Sequence, residues 1–243
     1  MIQVQYQAEN NWLADAVREI LPSTVAVSTS DPRKGWDYLH PDEVPATINM
    51  GALRRLEYTA GRRAAHAAMD QLSINGQPVV NGSDRAPIWP AGIVGSISHT
   101  KEYCIAVAAY ENDIHTVGLD IEPKRALDAD LVYEICNRDE RAWLAKQPVK
   151  QQGYLARLIF SAKECAYKCQ YPLTKKLFGF KALSIDLNLD KGTFRATFVQ
   201  PVGLFSMGCT LRGQFYIGHN VIMTTMAVEP SVKTYLNRKR GML

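Results

Sequence analysis

The chain lacks a long apolar run, a paired-cysteine pattern and a strong excess of either charge. No stretch approaches the roughly eighteen consecutive apolar residues of a membrane-spanning helix. The start, Met1 to Glu9, has no basic segment followed by an apolar one, so no export leader is read, and a soluble, cytoplasmic protein is expected. The five cysteines (Cys104, Cys136, Cys165, Cys169, Cys209) are odd in number and form no C-x-x-C pair, which fits reduced thiols better than a disulfide framework. Cys165 and Cys169 lie one helical turn apart and read as small core residues rather than zinc ligands. No cluster of aromatics suggests a platform for single-stranded nucleic acid.

What is present is ordinary globular material. Hydrophobic residues make up 47% and charged residues 21%, which excludes wholesale disorder. The 243 residues suffice for one large domain or two small ones. The net charge of +4 is modest, so its distribution matters more. Lys163, Lys168, Lys175, Lys176 and Lys181 fall in one stretch with Glu164 as its only acid, and the tail carries Lys233, Arg238, Lys239 and Arg240. Such clusters suit phosphates, an acidic protein partner or simply a solvated face.

An amphipathic segment, Asn10 to Leu21, precedes a candidate strand at Val25 to Ser28. Ala52 to Leu72 reads as a long helix on which Arg54 and Arg62, eight apart, fall close to one face. Gly61 within it marks a place where another backbone or a ligand could approach closely. A breaker-rich segment from Asn75 to Pro90 leads into Gly92 to His99 and a clear strand, Cys104 to Tyr110. Glu111-Asn-Asp113 then turns the chain into Thr116 to Glu122, an expected hairpin that would set Ser96, Ser98 and His99 beside the strand carrying Asp120 and Glu122. In that last strand Val117, Leu119 and Ile121 alternate with Gly118, Asp120 and Glu122, the period of a strand with one buried face. Both carboxylates leave the same face, where they repel unless a cation sits between them. A hard divalent ion such as Mg²⁺ would answer that, and so would plain solvation at an acidic turn.

Farther on, a helix is expected around Asp139 to Lys146 and a stronger one from Gln152 to Gln170, ended by Pro172. Glu164 and Lys168 lie four apart on the stronger helix. The final seventy residues read as a sheet, with strands at Ala182–Leu189, Gly192–Val199, Gly208–Gly213, Phe215–Ile217 and Val221–Val228, and a turn at Asp190-Lys-Gly192. Each half pairs a helix with strands, so two lobes with a cleft are expected.

Taken in order, Arg54, Gly61-Arg62, Trp89-Pro90, Gly95-Ser-Ile-Ser-His99, Gly118-Leu-Asp-Ile-Glu122 and Phe160-Ser-Ala-Lys-Glu-Cys-Ala-Tyr-Lys168 resemble the 4′-phosphopantetheinyl transferases, in their enterobactin-type and surfactin-type bacterial branch. Tyr171-Pro-Leu-Thr-Lys-Lys-Leu-Phe-Gly-Phe180 is similar to that branch too, and the resemblance spans about residues 50 to 228. It implies an α+β fold of two similar lobes related by pseudo-twofold symmetry, divided here into 1–115 and 116–243, with coenzyme A in the cleft. It implies an enzyme that moves the phosphopantetheine arm of coenzyme A onto a serine of an apo acyl or peptidyl carrier protein, leaving adenosine 3′,5′-bisphosphate. Fatty-acid, polyketide and siderophore pathways all fit, and the related single-lobe transferases that work as trimers make a monomer the expectation for a two-lobed chain.

Carried over residue by residue, the resemblance makes Asp120 and Glu164 ligands of Mg²⁺ (or Mn²⁺), with Glu122 binding directly or through water. Ser98 and His99 match the loop that holds the coenzyme A phosphates. Arg54 and Arg62 match basic residues at the nucleotide end, with Arg85 near a further one. Lys163 and Lys168 match the two lysines flanking Glu164. In that reading Glu164 activates the attacking serine, directly or through a metal-bound water, and Lys168 answers the charge that develops on the leaving phosphate. Lys124, Arg125, Lys175, Lys176, Leu177 and Phe178 would form a basic, partly apolar rim for an acidic carrier. Two other readings are weighed. One is a metal-dependent nuclease built on the acid-x-lysine pattern Glu122-Pro-Lys124, which Pro123 opposes because it breaks the strand between them. The other is a non-catalytic coenzyme A or carrier-binding module, which has no need of Glu164 and Lys168 beside Asp120.

Overall fold

The structure is a computed structural model that describes residues 11–35 and 38–230. Asn10 and the basic tail residues Lys233, Arg238, Lys239 and Arg240 lie outside the described residues. The chain divides into two units, the first ending at Val117 and the second beginning at Gly118.

In the first unit, α1 (Asn11–Glu19) leads to β1 (Ala26–Ser30), a 3₁₀ helix (Pro41–Thr47) and the long α2 (Ala52–Gln71). A short ladder of β2 (Val80–Asn81) and β3 (Pro87–Ile88) precedes β4 (Ile93–His99) and β5 (Cys104–Tyr110). The sheet runs β1-β5-β4, antiparallel throughout, with β5 in the centre and Cys104 to Ala109 wholly buried. Ala64, Ala65, Ala68 and Met69 of α2 pack on Ala26, Ala106 and Ala108, small side chains that let helix and sheet lie close. Gly61 does mark a close approach: a Cβ there would stand 3.2 Å from Cγ2 of Ile97 on β4. Gly95 accommodates the indole of Trp89, whose ring a Cβ would meet at 2.4 Å. The 3₁₀ helix is pinned by Glu43, which is fully buried and accepts the Val79 amide at 2.8 Å while its Oε1 stands 2.8 Å from His66 Nε2.

The second unit holds β6 (Thr116–Pro123, which begins two residues before the boundary), α3 (Ala129–Ile135), α4 (Arg138–Leu144), α5 (Val149–Thr174) and a short 3₁₀ turn (Phe180–Ala182). Four strands complete it: β7 (Leu183–Asn188), β8 (Thr193–Phe198), β9 (Thr210–Gly218) and β10 (Val221–Val228). The sheet order is β6-β10-β9-β8-β7. Leu155, Leu158, Ile159, Ala162 and Ala166 of α5 form one core with Ile185, Phe194, Phe198, Leu211 and Met226 of the strands. The chain is thus a mixed α+β protein.

Four sequence expectations change. The hairpin between Cys104–Tyr110 and the carboxylate strand does not form, because β1 and β4 already occupy both edges of β5 and β6 pairs with β10 instead. Ser98 and His99 therefore have β5, not the Asp120 strand, as their ladder neighbour. Second, β6 is covered on both faces through Ile121. Gly118 allows this: a Cβ there would stand 2.2 Å from the carbonyl oxygen of Cys165, so only glycine lets α5 lie so close on the polar face. Third, Pro172 does not end the helix. It gives up its own amide bond within the last turn, and the helix runs on to Thr174 until Lys175, at φ +52°, donates to the Tyr171 carbonyl. Fourth, Gly208–Gly213 and Phe215–Ile217 are one strand, β9, in which Gly213 makes room for the Phe194 ring. Cys165 and Cys169 are fully buried core residues, as expected.

Candidate active site

The carboxylates and α5 build the site in the second unit. Gly118, Asp120 and Glu122 share a face of β6 by strand alternation, and the approach of Cys165 to Gly118 shows that this face meets α5. Along α5, Arg157, Ser161, Glu164 and Lys168 recur at helical spacing and form one stripe. Lys168 Nζ donates to Asp120 Oδ1 at 2.6 Å, and Arg157 Nη1 donates to Glu122 Oε2 at 2.8 Å. Between them the Ser161 hydroxyl lies 2.9 Å from that of Thr224 on β10. The strand thus presents its two acids antiparallel to the two cations of the helix, with Glu164 between the cations in sequence. Arg157 is a residue that reading the sequence missed. Its signal was there, since it lies seven residues, two full turns, before Glu164.

The electrostatics follow from burial and crowding. Asp120 is 3% exposed. Burial pushes the Glu122 carboxyl above its ordinary value, and repulsion from Asp120 adds to this, while Arg157 and Lys168 pull it down without cancelling the rise. Glu164 is also raised, by burial first; Lys168 opposes the rise and Asp120 reinforces it. Burial lowers the Lys168 ammonium, but the charge and hydrogen bond of Asp120, with help from Glu164, more than reverse that, so it stays protonated. Beside Glu164 opens a cavity of about 160 Å³ walled by Tyr167, Phe178, Phe180 and Leu183.

Lys163, one of the two lysines flanking Glu164 and expected to help bind coenzyme A, has a side chain 1% exposed, and its three donors go to Glu140 Oε2 (2.8 Å), the Ile135 carbonyl (2.8 Å) and the Phe180 carbonyl (3.1 Å). No N–H is left for a phosphate. Glu140 in turn accepts the amides of Ile185 and Asn137, so the pair ties α3, α4, the Phe180 turn and β7 to α5. Phe178, expected on a docking rim, packs on the core and against the rings of Tyr167 and Phe198. Lys124, Arg125, Lys175, Lys176 and Leu177 are exposed, Leu177 at 78%. Pro123 is the last residue of β6, which leaves Lys124 beyond the strand that carries the acids.

Asp120, Glu122 and Glu164 are hard oxygen donors whose mutual repulsion a divalent cation would relieve, so their chemistry fits Mg²⁺ or Mn²⁺. As placed, Lys168 and Arg157 take part of that role, and among the described residues no group of three or more His, Cys, Asp or Glu side chains is gathered closely enough to hold a metal ion. No helix among the described residues is long and apolar enough to cross a membrane.

In the first unit, the residues expected at phosphates differ widely in setting. Arg54 is 59% exposed at the start of α2; its Nη1 lies 3.1 Å from His99 Nε2 and 3.2 Å from Glu57 Oε2. Arg62 is only 5% exposed, lies over the Tyr58 ring at 4.4 Å and donates to Asn81 Oδ1 at 2.5 Å. Arg62 Nε and the Tyr58 hydroxyl are buried with no hydrogen-bond partner among the described residues. Ser98 is buried on β4. Arg85 is exposed in the turn between β2 and β3, at φ +65°. The two arginines eight apart are therefore not equivalent: one is held at the surface by Glu57 and His99, the other is inside.

The sequence profile of the 4′-phosphopantetheinyl transferase N-terminal domain matches residues 43–109, and that of the 4′-phosphopantetheinyl transferase superfamily matches residues 116–206. The chain is 32% identical to 4′-phosphopantetheinyl transferase PptT of Mycobacterium tuberculosis over 87% of its own length and 97% of that protein. It is 31% identical to 4′-phosphopantetheinyl transferase Svp of Streptomyces mobaraensis, over 90% of its length and 91% of that protein. Enterobactin synthase component D of Salmonella typhi is 36% identical over 120 residues, 49% of each chain. The chain belongs to the 4′-phosphopantetheinyl transferase superfamily and is an enzyme of that kind.

Proposed function

We propose that the protein transfers the 4′-phosphopantetheine arm of coenzyme A to a serine of an apo acyl or peptidyl carrier protein and releases adenosine 3′,5′-bisphosphate. The observation that carries this reading is the meeting of the α5 stripe, Glu164 and Lys168, with Asp120 and Glu122 of β6, in a chain of this family. Asp120, Glu122 and Glu164 would hold Mg²⁺ or Mn²⁺. When bound, that ion supplies positive charge to the pyrophosphate at which the bond breaks.

The chain's own residues supply the rest. Glu164 would accept the proton of the attacking serine hydroxyl. Lys168, held protonated, offers its charge to the oxygen that departs. Phe178, Phe180 and Tyr167 give the uncharged pantetheine an aromatic wall beside Glu164. Arg54, His99 and Ser98 would hold phosphates of coenzyme A, with Arg62 and Arg85 as further basic residues of the nucleotide end. Residues up to 115 would thus serve the nucleotide and those from 116 the transfer. Lys124, Arg125, Lys175, Lys176 and Leu177 would receive the acidic carrier, and the enzyme would work as a cytoplasmic monomer. The relatives named for enterobactin synthesis favour siderophore or other secondary-metabolite carriers.

The test is the intact mass of an apo carrier protein after incubation with the enzyme, coenzyme A and Mg²⁺. A gain of one phosphopantetheine is expected. Unchanged mass across fatty-acid, polyketide and siderophore carriers would overturn the reading.

A further inference from the structure

Arg157 is nine-tenths buried, and its placement is hard to explain by stability. Its side chain is 10% exposed; Nη1 donates to Glu122 Oε2 at 2.8 Å, and Nη2 donates to the Ala126 carbonyl at 3.3 Å. Its Nε is buried with no hydrogen-bond partner among the described residues. A buried ion pair rarely outperforms an apolar pair of the same volume, and an unsatisfied buried donor adds a further cost. An apolar pair in place of Arg157 and Glu122 would join α5 to β6 without that cost.

What the guanidinium does provide is orientation. Glu122 stands next to Pro123 at the end of β6, where its flexible side chain would otherwise sample several rotamers. Arg157 takes one oxygen, Oε2, while its second arm anchors on the connection that leaves the strand. Seven residues return a helix to within about 20° of the same direction. Arg157 and Glu164 therefore leave α5 on one side, about 10.5 Å apart along its axis. Glu122 is held from one end of this stripe and Asp120 from the other, by Lys168.

We infer that Arg157 is a positioning residue, which holds the Glu122 carboxylate in one orientation so that less of the cation site has to be arranged when the cation arrives. The inference rests on the reading of Asp120, Glu122 and Glu164 as that site. Charge alone predicts the opposite effect, because a cationic side chain close by repels a metal ion and its removal would tighten binding. The two roles therefore differ in sign.

The experiment is a Mn²⁺ titration of the intact protein without coenzyme A, read by calorimetry or by the electron-spin signal of free Mn²⁺, with melting curves as a check on folding. Arg157→Met should weaken Mn²⁺ binding about 10- to 100-fold, the usual cost of losing a group that orients a ligand. Arg157→Lys keeps the charge but lacks the planar fork that reaches both Glu122 and Ala126, and should weaken binding roughly threefold to tenfold. Unchanged or tighter binding by folded Arg157→Met would overturn the role. If that variant fails to fold, Arg157→Lys decides alone, with unchanged affinity counting against the role and weakened affinity for it. Asp120→Ala separates the two levels. Mn²⁺ binding lost in Asp120→Ala but kept in Arg157→Met sinks only the role of Arg157. A wild-type protein that does not bind Mn²⁺, or an Asp120→Ala variant that binds it normally, sinks the cation site and the role together.

Discussion

Two faces of α5 use the same kinds of side chain to different ends. Toward α3, α4 and the Phe180 turn, Lys163 is sealed, with 1% of its side chain exposed and all three donors on fixed acceptors. Toward β6, five residues later, Lys168 remains 26% exposed and shares Asp120 with the neighbouring Glu164 and Glu122. A lysine paired one to one with a buried glutamate stabilises a fold. A lysine set among three carboxylates leaves negative charge in excess, and that excess is available to a cation. The motif around Glu164 therefore combines two functions on one turn of helix: Lys163 fixes how α5 is seated, and that seating aims Glu164 and Lys168.

The sharpest way to break this contrast is to remove the sealed lysine. Lys163→Met leaves the Glu140 charge buried and should cost about 3–5 kcal/mol of stability, measured by denaturant unfolding. A loss under about 1 kcal/mol would show that Lys163 is not a fold-holding group. Next in size is Gly118→Ala. Its methyl would collide with the Cys165 carbonyl and Cys169, lifting α5 from β6 at a cost of about 1–3 kcal/mol and lowering transfer in the protein that remains folded. Normal stability and turnover in that variant would mean that the close seating does not matter. Smaller still is Arg54→Ala in the first unit. If Arg54 serves the 3′-phosphate as proposed, KM for coenzyme A should rise about tenfold with kcat nearly unchanged, and the effect should shrink with coenzyme A lacking the 3′-phosphate. An equal effect on both substrates would place Arg54 elsewhere.

Much of this was legible in the sequence, for reasons that also explain the failures. The α5 helix and β10 follow from periodicity and α2 from its helix-forming composition, Asp120 and Glu122 are candidates by strand alternation, and Glu164 and Lys168 gain their roles only from the family resemblance. Tertiary partners were harder. The Cys104–Tyr110 strand looked like half of a hairpin with the next strand, but pairing depends on which edges are free, and β1, some seventy-five residues earlier, takes one of them. Gly118 has no pattern signal of its own; its need appears only when the Cys165 carbonyl is placed above it. The different settings of Lys163 and Glu164 follow from helix geometry, since consecutive residues on a helix point about 100° apart. Arg157 was equally within reach by counting two turns back. Burial decides between the two arginines of α2, and no spacing rule distinguishes exposed Arg54 from enclosed Arg62.

The central claim, that the β6-facing stripe of α5 performs the transfer, is tested most directly by Glu164→Gln. The variant keeps the size of the side chain and removes its ability to accept a proton. The rate at which an apo carrier gains one phosphopantetheine, followed by intact mass in saturating coenzyme A and Mg²⁺, should fall by about 10²- to 10⁴-fold while the melting curve stays close to that of the unmodified enzyme. Transfer at the original rate by a folded Glu164→Gln protein would contradict the account.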